Sequence, residues 1–315
     1  MSRWLMFLGS VFLVCCFAAT GVHAKGTTLL RFLKPTYKDG PPPIVLVAFG
    51  TSTKAQITFD HIDAEIKKAY PSHEVKWAFT SSIVRKKMNK KYKGKGSDKK
   101  LLSLPEVLAD LEAQGYRKVI VQSLHVFPGQ EWIHVMNQGR LDGLTISFGE
   151  PLFSTWEDIE KILDGLKEDF PSPEKGCVIL AAHGTPNTYS SPATAVYLAM
   201  DRLLSSKFKN CFLGSVEGVP TREDALSRAK AYKGKHVRII PLMLVAGDHV
   251  MNDIMGEEVD EEGEMSWAME LRKAGKKVDA PTVMINGSTH YKGLGYYPIV
   301  VEILKEHIEQ ALRDL

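Results

Sequence analysis

The chain repeats itself, and that repeat constrains its fold more than any other feature. Ile44-Val45-Leu46-Val47-Ala48-Phe49-Gly50-Thr51 matches Val178-Ile179-Leu180-Ala181-Ala182-His183-Gly184-Thr185, with Phe49 where His183 stands. Val119 to Glu131 matches Val237 to His249, with Gly129 opposite Gly247 and Glu131 opposite His249. A long-period repeat of apolar, strand-like runs implies two copies of one fold. In an α/β sheet, chemistry gathers where strands end. Only the second copy places a histidine at both matched ends, His183 and His249.

The rest of the pattern fills in the same architecture. Strands are expected near 44–49, 75–80, 118–124 and 144–149, then near 177–182, 211–216, 236–245 and 281–286. Helical periodicity lies between them near 55–69, 104–114 and 155–168. Ser103-Leu104-Pro105-Glu106 reads as a capping box, Ser191-Pro192 as a helix start with Pro at N1, and Thr221-Arg222-Glu223-Asp224 as another start. Ile299, Val300, Ile303, Leu304, Ile308 and Leu312 give the last helix, about 297–313, an apolar stripe. Alternating strands and helices mean an α/β chain with parallel sheets. The expectation is two Rossmann-like domains facing a central cleft: an N-terminal α/β domain over 44–170, a C-terminal one over 171–290 carrying the metal site, and a helix over 291–315 packing back on the first.

The first residues read as an export signal. Arg3 is a short positive region, Trp4 to Thr20 carries no charge, and Val22-His23-Ala24 offers a cleavage site before Lys25. That apolar stretch is short for a retained membrane anchor. Cys15 and Cys16 follow the bulky Leu13 and Val14, which argues against a lipid attachment site. The boundaries expected are a signal over 1–24, a polar lead-in over 25–43 that ends in Pro41-Pro42-Pro43, and a periplasmic mature protein without a stable anchor. Cys177 and Cys211 then remain, as one disulfide or as two buried thiols.

Several function classes drop out. A net charge of +3 over 315 residues is too small to point to nucleic acid. Neither first strand leads into GxGxxG or GxxxxGK[ST], and no G-x-S-x-G surrounds Ser52 or Ser190. What is left at the strand ends is a pair of imidazoles and Glu217, in Gly214-Ser215-Val216-Glu217-Gly218-Val219-Pro220. Either histidine alone reads as a satisfied core imidazole, and Glu217 alone equally reads as a carboxylate near the helix start at Thr221. Together, two imidazoles and a carboxylate with open positions suit a catalytic or transferred divalent ion.

Ala181 to Thr185, Gly214 to Pro220, Ser123-Leu124-His125-Val126-Phe127-Pro128-Gly129 and Ala78 to Arg85 resemble the anaerobic sirohydrochlorin cobaltochelatases of the CbiK type. These are class II chelatases with the ferrochelatase-like bilobal fold, and the resemblance runs from about Pro43 to the C-terminus. It implies insertion of a divalent metal, foremost Co2+ with Fe2+ as another candidate, into sirohydrochlorin or a related tetrapyrrole without nucleotide hydrolysis. It carries metal binding onto His183, Glu217 and His249, and proton acceptance onto His183 with Glu217 assisting. Imidazole suits that task because its ordinary pKa lies close to neutrality.

The remaining candidates are less sharply defined. Phe49, Phe127 and Trp132 read as cleft walls or as plain core, and Glu131 as a cleft-lining acid. The basic run from Arg85 to Lys95, with Lys99 and Lys100, reads as a clamp for substrate carboxylates, foremost through Arg85, or as a solvated flexible loop. The acidic stretch Glu257 to Glu264 reads as a solvated loop or as a gatherer of metal ions near the site. An export signal on a chelatase opens a second class of function, an exported carrier of metal or of haem-like tetrapyrroles, in which His125 is a candidate haem axial ligand. The apolar-rich segment Ser288 to Pro298 suggests a homo-oligomer.

Overall fold

A computed structural model describes residues 37–186, 192–260 and 262–315. The expected signal at 1–24, most of the lead-in, and the Ser190 and Ser191 readings lie outside the described residues. Residues 40–315 form one compact unit. It holds two four-stranded parallel sheets. The first contains β1 (Ile44–Ala48), β2 (Val75–Phe79), β3 (Lys118–Ser123) and β4 (Thr145–Gly149), in the order β2-β1-β3-β4. The second contains β5 (Gly176–Gly184), β6 (Cys211–Glu217), β7 (His236–Leu242) and β8 (Lys277–Asp279), in the order β6-β5-β7-β8. The second order is the first with every strand advanced by four, so the repeat seen in sequence is a repeat of topology.

These runs become strands because both faces are covered. All five residues of β1 and the first seven of β5 are buried, which is why they read as continuous apolar stretches and not as alternation. The covering helices of the first half are α1 (Ile57–Ala69), α2 (Ser82–Gly94), α3 (Leu104–Ala113), α4 (Gln130–Gln138) and α5 (Trp156–Leu166). Those of the second are α6 (Pro192–Lys207), α7 (Arg222–Ala231) and α8 (Trp267–Lys273). α3 opens on its capping box: Glu106 accepts from Ser103 N–H at 2.8 Å and from Ser103 Oγ–H at 2.7 Å.

The last helix, α9 (Pro298–Arg313), buries Val300, Val301, Ile303, Leu304, Ile308 and Ala311 against β3, β4, α1 and α5. Gly165 of α5 admits Ile299, whose Cγ2 lies 2.5 Å from where a Cβ would stand. The Tyr70 hydroxyl donates to the Lys305 carbonyl at 3.1 Å, and Lys161 meets Glu306 at 2.9 Å.

The structure departs from the sequence reading in four places. The basic run after β2 is a helix, α2, and not a loop. Val84, Met88 and Tyr92 recur every fourth residue and turn inward, while Lys86, Lys87, Lys90, Lys91 and Lys93 stay in solvent. The fourth strand of the second sheet is the short polar Lys277–Asp279. The expected strand at 281–286 instead gives β9 (Thr282–Ile285), which pairs antiparallel with β10 (Ser288–Tyr291) as a separate hairpin. β7 ends at Leu242, one residue after Pro241, whose missing N–H weakens further pairing. Ser288 to Pro298, read as an apolar-rich segment, is the strand β10 followed by a turn in which Leu294, Gly295 and Tyr297 are buried. Cys177 and Cys211 open adjacent strands as free buried thiols, and burial pushes the Cys177 thiol up to about 11.

Candidate active site

The switch in strand order falls between β5 and β7, where neighbouring connections leave the sheet in opposite directions. That is the crevice an open α/β sheet offers to a ligand. His183 is the penultimate residue of β5, and His249 follows the loop after β7. The two rings meet edge to face, with centroids 4.7 Å apart and planes at 87°.

Each imidazole is held through the same nitrogen. His249 Nδ1 lies 2.5 Å from Asp253 Oδ2, one helical turn on, within the π-helical turn Val250–Ile254. His183 Nδ1 lies 3.2 Å from the Gly184 carbonyl. A carbonyl accepts only, and an ionised carboxylate accepts only, so both Nδ1 atoms donate. In the neutral ring this leaves the Nε2 lone pair free, the form that binds a divalent ion. Asp253 had no place in the sequence reading. The signal was present as a His-x-x-x-Asp spacing, which meets across a helical turn.

Neighbouring groups fix this edge. Gly184 adopts φ +81°, and a Cβ there would lie 1.7 Å from the Glu217 carbonyl oxygen, so only glycine lets β5 and β6 end side by side. The Gly184 N–H donates to the Tyr197 hydroxyl of α6 at 3.2 Å. Tyr197 is itself buried and packed on Phe127, with centroids 3.9 Å apart. Gly247 stands where a Cβ would be 3.2 Å from Thr51 Oγ1, so the loops after β1 and β7 approach closely. Strand ends of both sheets thus converge on the histidine pair.

Glu217 reaches the same edge, exposed, at the end of β6. The β5–β6 register sets it level with Gly184 and not with His183. Among the described residues, no hydrogen bond or ion pair joins its carboxylate to either imidazole. Among the described residues no three His, Cys, Asp or Glu side chains gather closely enough to hold a metal ion. The structure joins His183 to His249 and leaves Glu217 beside them.

The first-half candidates fall into distinct settings. Phe49 is half exposed at the end of β1, in the position that His183 takes in the second half. Phe127 is buried against Phe153 and Tyr197, and Trp132 packs edge-on against Phe148 at 6.0 Å. Arg85, in the first turn of α2, lies 3.6 Å from Glu106.

His125 follows β3 with its Nδ1 3.0 Å from Ser123 Oγ. Its Nε2 is buried without a hydrogen-bond partner, 4.0 Å from Glu131 Oε2, which is likewise buried and unpartnered. Burial pushes its pKa down to about 4, against an opposing pull from Glu131. An axial ligand needs an open face at Nε2, and here Glu131 covers it. The residues present do not fit a haem at His125.

The chain is similar to known proteins in both sequence and fold. The chain is 28% identical over 277 residues to the sirohydrochlorin cobaltochelatase of Salmonella typhimurium, covering 85% of this chain and 96% of that one. It is 28% identical over 289 residues to the sirohydrochlorin cobaltochelatase CbiKC of Nitratidesulfovibrio vulgaris, covering 89% and 93%. In fold it is similar to SirB from Bacillus subtilis, solved with Fe3+, at a TM-score of 0.57 and 14% identity over 87% of this chain and 96% of that one. The family described as cobalt chelatase (CbiK) matches residues 43–313, and this chain, a metal chelatase with an α/β fold of two parallel sheets, belongs to it.

Proposed function

We propose that this protein inserts Co2+ into sirohydrochlorin, with His183 and His249 presenting the metal and receiving the pyrrole protons. The observation that carries the reading is the contact between the two rings, each tied down through Nδ1. Family membership and the two relatives named sirohydrochlorin cobaltochelatase support the reaction class and the metal. Fe2+ is the second metal this donor set accommodates.

Insertion replaces two pyrrole N–H protons by one divalent ion, so the site must hold a cation and take up protons in turn. A neutral imidazole Nε2 does either: it donates its lone pair to the metal, then, once the metal has passed to the ring, accepts a proton. Asp253 holds the His249 ring in place by accepting from Nδ1–H. His183 is the more exposed of the pair and the first proton acceptor. Glu217 relays protons onward from the same edge, a role that needs proximity to solvent and not direct ligation. Phe49, exposed where the first half meets this edge, forms one wall for the macrocycle.

We also propose export, on the strength of Arg3, the uncharged Trp4 to Thr20 and the site before Lys25. A mature N-terminus at Lys25 in a periplasmic fraction supports it, and an intact Met1 terminus on cytosolic protein refutes it.

Anaerobic mixing with sirohydrochlorin and Co2+, followed by visible spectroscopy, tests the reaction. Many turnovers per chain support a chelatase. A single stoichiometric spectral change without turnover points instead to a tetrapyrrole or metal carrier built on the same fold.

A further inference from the structure

A cavity of about 320 Å³ adjoins the loop that carries His249. Three segments wall it: Lys54 to Thr58 at the start of α1, Ala246 and Met251 on either side of His249, and the β9–β10 hairpin through Thr282, Thr289, His290 and Tyr291. Its titratable side chains are Lys54, His290 and Tyr291, and among the described residues no acid lines it. Lys54 is exposed and forms no ion pair with a described carboxylate. His290 Nδ1 is buried and without a hydrogen-bond partner. A buried nitrogen left unpaired costs stability unless a ligand or water meets it. An ammonium, an imidazole N–H and threonine hydroxyls around an acid-free hollow are the donors a carboxylate needs.

We infer that this cavity is a carboxylate subsite that anchors one acidic side chain of the tetrapyrrole beside the metal site, with Lys54 supplying the charge and His290 a hydrogen bond. The inference rests on the reading above only in that the substrate is a carboxylated macrocycle. Ala246 and Met251 bracket His249 in sequence, so a side chain anchored here lies beside the loop that carries the metal site. Lys54 and His290 are binding residues and take no part in proton transfer.

The test uses the full chain with Lys54→Gln, Lys54→Arg and His290→Phe. Two quantities are read: KM for sirohydrochlorin in anaerobic Co2+ insertion, and Kd for metal-free uroporphyrin by fluorescence anisotropy. Lys54→Gln should raise KM and Kd about five- to tenfold, the loss of one partly exposed charge-assisted contact, with the effect on KM and not on kcat. Lys54→Arg should recover most of the loss, and His290→Phe should weaken both constants in the same direction. Unchanged KM and Kd in Lys54→Gln overturn the inference while leaving a working chelatase in place. Uroporphyrin binding that depends on Lys54, in a wild-type protein without turnover, upholds the subsite and removes the chelatase reading. A wild-type protein that neither binds nor turns over removes both.

Discussion

Lowering the pH should destabilise this protein through His125, and His125→Asn should remove that sensitivity. The imidazole ordinarily titrates at 6.5, and burial brings it down to about 4 in the folded chain. Between those values the unfolded chain binds a proton that the folded chain does not, so stability rises with pH across this window. The contribution is fully present above about pH 6.5 and is lost as pH falls toward 4. A gap of about 2.5 units, at 1.36 kcal/mol per unit, makes the loss about 3 kcal/mol. Glu131 opposes burial by favouring the charged ring, so Glu131→Gln should steepen the fall. Urea unfolding midpoints with their m values, taken from pH 7.5 to 4.5, measure this directly. His125→Asn lowers stability at every pH by leaving a gap, but its curve should flatten by about 3 kcal/mol over the window. Wild-type and variant curves that run parallel would refute the argument.

Other expectations follow from the same contacts. Asp253→Asn should weaken Co2+ binding about 10- to 100-fold, measured by equilibrium dialysis, because the amide no longer fixes the donor tautomer of His249 Nδ1. Gly184→Ala should cost more than about 2 kcal/mol in urea unfolding, since it forces a left-handed residue and a Cβ onto the Glu217 carbonyl. Replacing Lys86, Lys87, Lys90 and Lys91 by glutamine should raise KM for sirohydrochlorin and flatten its dependence on salt, if the exposed face of α2 steers substrate. An unchanged KM and salt slope would leave α2 a purely structural helix.

Most strands were legible in sequence as apolar runs, continuous where burial covers both faces, as in Ile44–Ala48. Ile44–Ala48, Val75–Phe79, Lys118–Ser123 and Cys211–Glu217 fall within a residue or so of their expected bounds. The strand Lys277–Asp279 was not legible, since it is three residues long and Val278 is its one apolar side chain. Thr282–Ile285 has the composition of a sheet strand but pairs only with its own hairpin partner, a choice made by tertiary contacts. α2 hid behind its lysines: an inward stripe of three side chains in thirteen residues is weak against so much charge. At the site, the histidine pair was legible because both ends of the repeat pointed to it. Asp253 was missed because its partner is a helical turn away in a segment that gives no helical periodicity. Register, which sets Glu217 level with Gly184, cannot be read from composition at all.

The claim that His183 and His249 act as one unit has a direct measurement. Rates of Co2+ insertion into sirohydrochlorin are compared among wild type, His183→Ala, His249→Ala and the double variant, each protein first shown to be folded. Groups that work on one ion lose nearly everything when either is removed, so the double variant should be little worse than each single one. Near wild-type kcat/KM for Co2+ in either single variant, or two losses that simply multiply in the double variant, would contradict a shared metal site.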